Sequence, residues 1–194
     1  MPVTQIDPTS ALVLIDFQHG IGALAPSELI VPPALVARRL AAGFRAHHLP
    51  VFLVRTSFSP DGRDAPRSRV SAAPRIGAMP DRWDEILDEI DRQPGDILVT
   101  KRQPGAFYGT DLELQLRRRH VTGVVLGGLF TSFAVETTGR EAYDRGFNVT
   151  FAADATADLD PAAHVHSLGT TFPRFGEVGD AAAIVAMLPA ADAA

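Results

Sequence analysis

The chain contains no cysteine. That excludes disulfides, thiolate zinc sites, cysteine-ligated iron–sulfur clusters and any mechanism that starts from a thiol nucleophile. Positive charge is also short: 18 Lys and Arg stand against 23 Asp and Glu, a formal net charge of −5. Binding to nucleic acid needs concentrated Lys and Arg, so no nucleic-acid partner is expected. No apolar run approaches the roughly 18 residues a membrane span requires, so no membrane partner is expected either. The stretch Met1–Ser10 carries neither a basic cluster nor an apolar core. It does not read as a secretory signal, and a cytoplasmic location is the expectation.

What is present suits a folded core. The 194 residues are 46% apolar and 21% charged, an ordinary globular balance. There is no internal repeat, low-complexity tract or linker, so residues 1–194 are read as a single domain. Ala11–Ile15, Val51–Val54, Ile97–Thr100, Gly123–Leu126 and Asn148–Phe151 are short apolar runs rich in branched residues. Runs of that kind predict strands buried on both faces, as in a parallel sheet.

Helical signals lie between them. Pro32 and Pro33 suit a first helical turn and predict a helix with Ala34–Phe44 as its body. Thr110 and Glu113 are spaced as a capping box, with the helix ending near Arg119. A helix is expected from about Ser132 to Arg145, stopped by Gly146. Asp160 followed by Pro161 predicts an N-cap and first-turn proline, with the helix running through Leu168. Ala181–Leu188 reads as a last helix. Strands alternating with helices predict an α/β fold. Ser57–Asp81, with four prolines and several arginines, is too long for a simple connection and is a candidate functional loop.

Ligands of open parallel sheets bind beyond the carboxyl ends of the strands. Three features fall there. Asp16 ends the first strand, where burial and a nearby charge can tune a carboxyl group for acid or base work. It can equally cap the turn Gln18-His19-Gly20. Lys101 ends the third strand, where it can pair with Asp16 or simply be solvated beside Arg102. Gly127–Ala134 leaves the fourth strand and enters a helix, a geometry that can present backbone N–H groups to an anion or oxyanion. A glycine-rich turn with no ligand is the plain alternative.

Together these segments resemble the isochorismatase-like hydrolases, part of the cysteine hydrolase superfamily. Ala11-Leu-Val-Leu-Ile-Asp-Phe-Gln18 resembles the family's opening motif, and Val99–Thr110 resembles its lysine motif. Gly128–Ala142 resembles its nucleophile motif, with Gly146–Val149 and Asp154-Ala155 following in order. The resemblance implies a three-layer α/β sandwich with a six-stranded parallel sheet and helices on both faces, often with a Rossmann-like strand order. It implies a catalytic set of Asp16, Lys101 and residue 134, and a cis peptide between Leu129 and Phe130. The N–H groups of Phe130 and Ala134 would form the oxyanion hole. It also implies a small-molecule substrate and assembly into homodimers or homotetramers.

The departure from the family pattern is Ala134, which stands at the cysteine position. A methyl group cannot attack a carbonyl carbon, and neither Thr131 nor Ser132 occupies the same point of the helix. Three readings follow. Asp16 and Lys101 assist direct attack by water, as in members that cleave an enol ether. The chain is a catalytically silent small-molecule binding protein. Or it is a Cys-to-Ala variant of an amidase. Phe172-Pro-Arg174 and the lysine motif resemble a bacterial branch with a small residue at the cysteine position.

No cofactor or metal is expected. The nicotinamidase members carry an Asp-x-His pattern after the second strand, and Arg55–Asp81 has no histidine. His19 is the one histidine close to Asp16 in sequence, and His47 and His48 read as a helix end. Phe17, Gln18, Trp83, Phe107, Tyr108, Phe130 and Phe133 are candidates for the pocket wall. Arg55 or an arginine of the long loop is a candidate partner for a substrate carboxylate.

Overall fold

A computed structural model describes residues 3–66, 69–71 and 81–189. Six parallel strands form one sheet in the order β3-β2-β1-β4-β5-β6. They are β1 (Ser10–Ile15), β2 (Val51–Thr56), β3 (Ile97–Lys101), β4 (Gly123–Leu129), β5 (Asn148–Ala157) and β6 (Glu177–Gly179). The chain leaves β1 to build one side of the sheet and returns beside it as β4. The reversal of direction between β1 and β4 is where open α/β sheets form their ligand crevice.

Residue alternation sorts the core into two layers. Leu12, Leu14, Val51, Leu53 and Val125 face one side, covered by α2 (Ser27–Ala46) and α6 (Ala181–Ala186). Ala11, Val13, Ile15, Phe52, Val54, Val124 and Leu126 face the other, covered by α3 (Leu112–Arg118) and α4 (Glu136–Asp144). This period of two on both faces explains why the strands read as unbroken apolar runs. The short α1 (His19–Gly22) follows β1, and α5 (Pro161–His166) follows β5.

Several expectations are corrected. The helix expected to open at Pro32 begins at Ser27, and both prolines lie inside it. Its extra first turn is held by Ile30, which is buried in the core, and by the Leu29 N–H to the Pro26 carbonyl at 3.0 Å. Residues 32 and 33 are near enough to the start that the N–H groups they lack cost only early bonds. The capping box at Thr110 and Glu113 does not form. Thr110 Oγ1 donates to the Ala106 carbonyl at 2.6 Å, and Glu113 instead pairs with Arg145 at 3.0 Å.

Gly127 and Gly128 lie within β4 rather than in a turn after it. An ideal Cβ on Gly128 would stand 2.4 Å from the Ile15 carbonyl oxygen, so glycine there permits β1 and β4 to close up. β5 continues past Phe151 to Ala157 across a register shift opposite Leu126 and Gly128. The sixth strand, β6, is only three half-buried residues and carries no pattern of its own. The Asp160 cap forms, with its side chain accepting from the Ala162 and Ala163 N–H groups. Gly146 ends the α4 region with a φ of +77°. Much of the loop Ser57–Asp81, Arg67 and Arg75 included, lies outside the described residues, as do Met1 and Pro2. Among the described residues no helix is long and apolar enough to cross a membrane.

Candidate active site

β1 ends at Ile15, and Asp16 follows with a φ of +59°. This left-handed conformation is uncommon for a non-glycine residue and is most often met in Asn and Asp. The Asp16 N–H still reaches the Val54 carbonyl at 2.8 Å, so the turn is tied to β2. Its carboxylate extends across the end of β2. Lys101 Nζ donates to Asp16 Oδ2 at 2.9 Å, and Thr56 Oγ1 donates to Asp16 Oδ1 at 3.0 Å. The lysine comes from the last residue of β3, level with Thr56 in the strand register. Three adjacent strand ends thus build one polar group of side chains.

The pair is buried: the Lys101 and Asp16 side chains are 3% and 6% exposed. Loss of hydration is the largest influence on Asp16 and raises its pKa above the ordinary value of 3.8. The Lys101 charge, its hydrogen bond and that of Thr56 act in the opposite direction and do not overcome it. Lys101 Nζ also donates to the Gln103 carbonyl at 3.2 Å, which fixes its aim. A carboxyl group that retains a proton above its ordinary range, held by a fixed cation and a hydroxyl, is equipped for proton transfer.

Gln18 lies in the wall as a strap. Its side chain accepts from the Thr56 N–H at 2.6 Å and donates to the carbonyls of Thr56 at 2.8 Å and Trp83 at 2.9 Å. All its polar atoms point into the protein, so it positions Thr56 and is not a free pocket group. Trp83 packs on Gly20, where a Cβ would meet its ring at 2.1 Å.

The Leu129–Phe130 peptide is cis. Ile15 is level with Gly128, which places Asp16 beside Leu129 at the crevice. The chain then makes a π-helical turn, Thr131–Val135, that runs directly into α4. The N–H groups of Phe133, Ala134 and Val135 all converge on the Phe130 carbonyl, at 3.1, 3.0 and 3.3 Å. The Ala134 N–H is therefore engaged within the turn rather than presented to a ligand. Ala134 itself is 2% exposed and packs in the α3–α4 core layer. Thr131, fully buried, shares a hydrogen bond with His164 Nδ1 at 2.8 Å. Ser132 gives both its N–H and its hydroxyl to Asp158, at 2.6 and 2.7 Å.

The aromatic candidates separate. Phe17 and Phe107 are core residues, Phe107 lying 6.0 Å from the Phe147 ring. Tyr108 and Phe133 are exposed to solvent. Phe130 is half-buried against the α2-side layer. Arg55 is engaged with Asp84 through Nη1 at 3.0 Å and with Thr100 Oγ1 through Nε at 3.2 Å. His19 lies 3.8 Å from Asp88 and has no contact with Asp16. Among the described residues no group of three or more His, Asp or Glu is placed to hold a metal. Thr56 and Asp158 were not foreseen. Thr56 ends β2 as Asp16 ends β1, so the strand-end rule could have found it; Asp158 carries no local signal.

The structure is a three-layer α/β sandwich with a buried aspartate–lysine pair at the switch point of its parallel sheet. The Isochorismatase domain model matches residues 10–183, and the chain belongs to that family. The chain is 42% identical to the isochorismatase family protein YwoC of Bacillus subtilis over 170 residues, covering 87% of this chain and 88% of that one. It is 41% identical to the isochorismatase family protein YecD of Escherichia coli O157:H7 over 171 residues, covering 88% and 91%. An isochorismatase family protein from Burkholderia thailandensis superimposes with a TM-score of 0.88 at 40% identity, covering 95% and 97%.

Proposed function

We propose that this isochorismatase-family hydrolase cleaves a small molecule by acid-assisted attack of water, with no covalent enzyme intermediate. The observation that carries the reading is the buried Asp16–Lys101–Thr56 group beside a turn in which residue 134 is an alanine and its N–H is engaged by the Phe130 carbonyl. Acyl transfer through residue 134 lacks its attacking atom and one donor for the oxyanion it would create. A reaction that develops positive charge needs neither.

In this reading Asp16, in its acid form, gives its proton to the substrate, for instance to the vinyl carbon of an enol ether. Water adds to the resulting cation. That water returns one proton to Asp16, and the hemiketal so formed breaks its carbon–oxygen bond with its hydroxyl proton passing to the departing alcohol, so one water is consumed and the enzyme is restored. Lys101 steadies the aspartate when it is ionised, and Thr56 fixes the other carboxylate oxygen. The same reading holds the protein to be cytoplasmic, and also self-associating, which the family resemblance supports. Light scattering that returns a monomer across micromolar concentrations would contradict the assembly.

The test is a product screen of enol ethers and amides with the native protein and with Asp16→Asn. The expected result is turnover of an enol ether that falls by about a hundredfold or more in the variant, the scale of general acid catalysis. No covalent adduct should appear in the intact mass. Binding without turnover in either protein would replace this reading with that of a silent binding protein.

A further inference from the structure

We infer that Thr56 is a positioning residue of the reaction: its hydroxyl holds Asp16 Oδ1, the oxygen from which the proton leaves, and the Gln18 amide holds Thr56 in place. The inference deepens the proposed hydrolase reading and rests on it for the direction of proton transfer.

The placement begins in the strand register. Thr56 and Lys101 are paired residues at the ends of β2 and β3, so the ladder fixes their spacing. Asp16 spans this pair with one oxygen on each. Oδ2 accepts from Lys101 Nζ at 2.9 Å, and Oδ1 accepts from Thr56 Oγ1 at 3.0 Å. Two anchors set how the carboxyl plane is turned; with one, the group pivots about Lys101. Thr56 is itself fixed. Its N–H donates to Gln18 Oε1 at 2.6 Å, and its carbonyl accepts from Gln18 Nε2 at 2.8 Å. Gln18 is fully buried, and its Nε2 also donates to the Trp83 carbonyl at 2.9 Å. One buried amide thus ties both backbone groups of Thr56, and a β-branched side chain has few rotamers to choose from.

The two oxygens of Asp16 meet unlike partners. An ammonium donates and accepts nothing. It favours negative charge on Oδ2, and a proton added there would face a cation at 2.9 Å. A hydroxyl both donates and accepts. Thr56 can accept from Oδ1–H in the acid form and donate to Oδ1 in the carboxylate form, so the proton resides on Oδ1. When the Oδ1–H bond breaks and the proton bonds to the substrate carbon, the electron pair stays on the carboxylate and the Thr56 hydroxyl turns to donate to it. Thr56 keeps its own hydrogen throughout, and the added water returns a proton to Oδ1. A hydrogen bond to an ionised acceptor is stronger than one between neutral groups. Thr56 therefore contributes more as the proton leaves than before it leaves, which lowers the barrier without tightening substrate binding.

Thr56→Val keeps the shape of the side chain and removes the hydroxyl, and Thr56→Ser keeps the hydroxyl. The Asp16 carboxyl carbon is titrated by carbon-13 NMR in the native protein and both variants, and all three are assayed with the enol ether that the product screen turns over. Valine removes an influence that favours the carboxylate. It should raise the Asp16 pKa by about half a pH unit or more, the margin of a charge-assisted over a neutral hydrogen bond. It should also lower kcat about tenfold or more with KM within about twofold, and move the fall of kcat with rising pH upward alongside the NMR value. Serine should return both readouts toward native. An Asp16 that titrates alike in the native and valine proteins, a serine variant that behaves as valine does, or a change in KM alone would overturn the inference and leave the hydroxyl a structural contact. The titration is read without turnover. If the screen finds no substrate, the proposed hydrolysis falls, while an Asp16 shifted by valine and restored by serine still supports the assignment of the proton to Oδ1. Turnover with an unmoved Asp16 keeps the hydrolase reading and removes Thr56 from it.

Discussion

The two ends of the sheet each carry an aspartate that gathers side chains from neighbouring strands, and they differ in depth. At the amino end Asp7 accepts from Thr122 Oγ1 at 2.6 Å and from Asn148 Nδ2 at 2.8 Å, beside an open groove of about 350 Å³. Nearby, Glu177 accepts from the Thr4 N–H at 2.8 Å and from the Thr4 hydroxyl. At the carboxyl end Asp16 accepts from Lys101 and Thr56 while almost wholly removed from water. Asp7 is satisfied by neutral donors near the surface and needs no counter-ion. Asp16 is deep enough that only a matched cation or a proton makes it tolerable. The same residue type therefore joins secondary structure together at one end and, at the other, is paired with a lysine at a depth that raises its pKa.

Substitutions at the two ends sharpen this contrast. Asp16→Asn leaves the Lys101 ammonium buried without its counter-charge, and breaking one side of such a pair should cost about 3–5 kcal/mol of stability in urea unfolding. Gln18→Leu comes next. It strips partners from the Thr56 N–H and from the Thr56 and Trp83 carbonyls, and should cost about 1–3 kcal/mol for polar groups left unsatisfied. Asp7→Asn, which keeps an acceptor near the surface, should cost no more than about 1 kcal/mol by the same measurement. A loss at Asp7 equal to that at Asp16 would erase the distinction between the ends.

The sequence made the strand ends legible because both faces of the sheet are covered. Unbroken apolar runs then stop where the sheet stops, and a charged residue at that point, such as Asp16 or Lys101, stands out. The capping box at Thr110 was not legible as absent, because Glu113 is claimed by Arg145, a residue 32 positions away that no local pattern contains. β6 escaped notice because three half-buried residues have no periodicity. The glycines of β4 looked like a turn, since nothing in their neighbourhood reveals that the Ile15 carbonyl lies against Gly128. Asp158 shares that reason. Its partner Ser132 is joined to it only by the pairing of β4 with β5, a long-range register. The absence of cysteine, by contrast, is plain in the composition and by itself excludes a thiol nucleophile.

The central claim is that Asp16 keeps its proton above the ordinary range of an aspartic acid. Carbon-13 NMR titration of its carboxyl carbon reads that directly, in the native protein and in Lys101→Met. With the folded pKa above 3.8, the folded chain binds the proton more tightly than the unfolded one. The stability Asp16 contributes is then greatest at low pH and declines as pH rises from 3.8 through the folded value. Removing Lys101 deletes an influence that lowers the pKa, so the variant should titrate higher still and its stability should decline to a higher pH. A native Asp16 that titrates at or below 3.8, or one unmoved by Lys101→Met, would contradict the account.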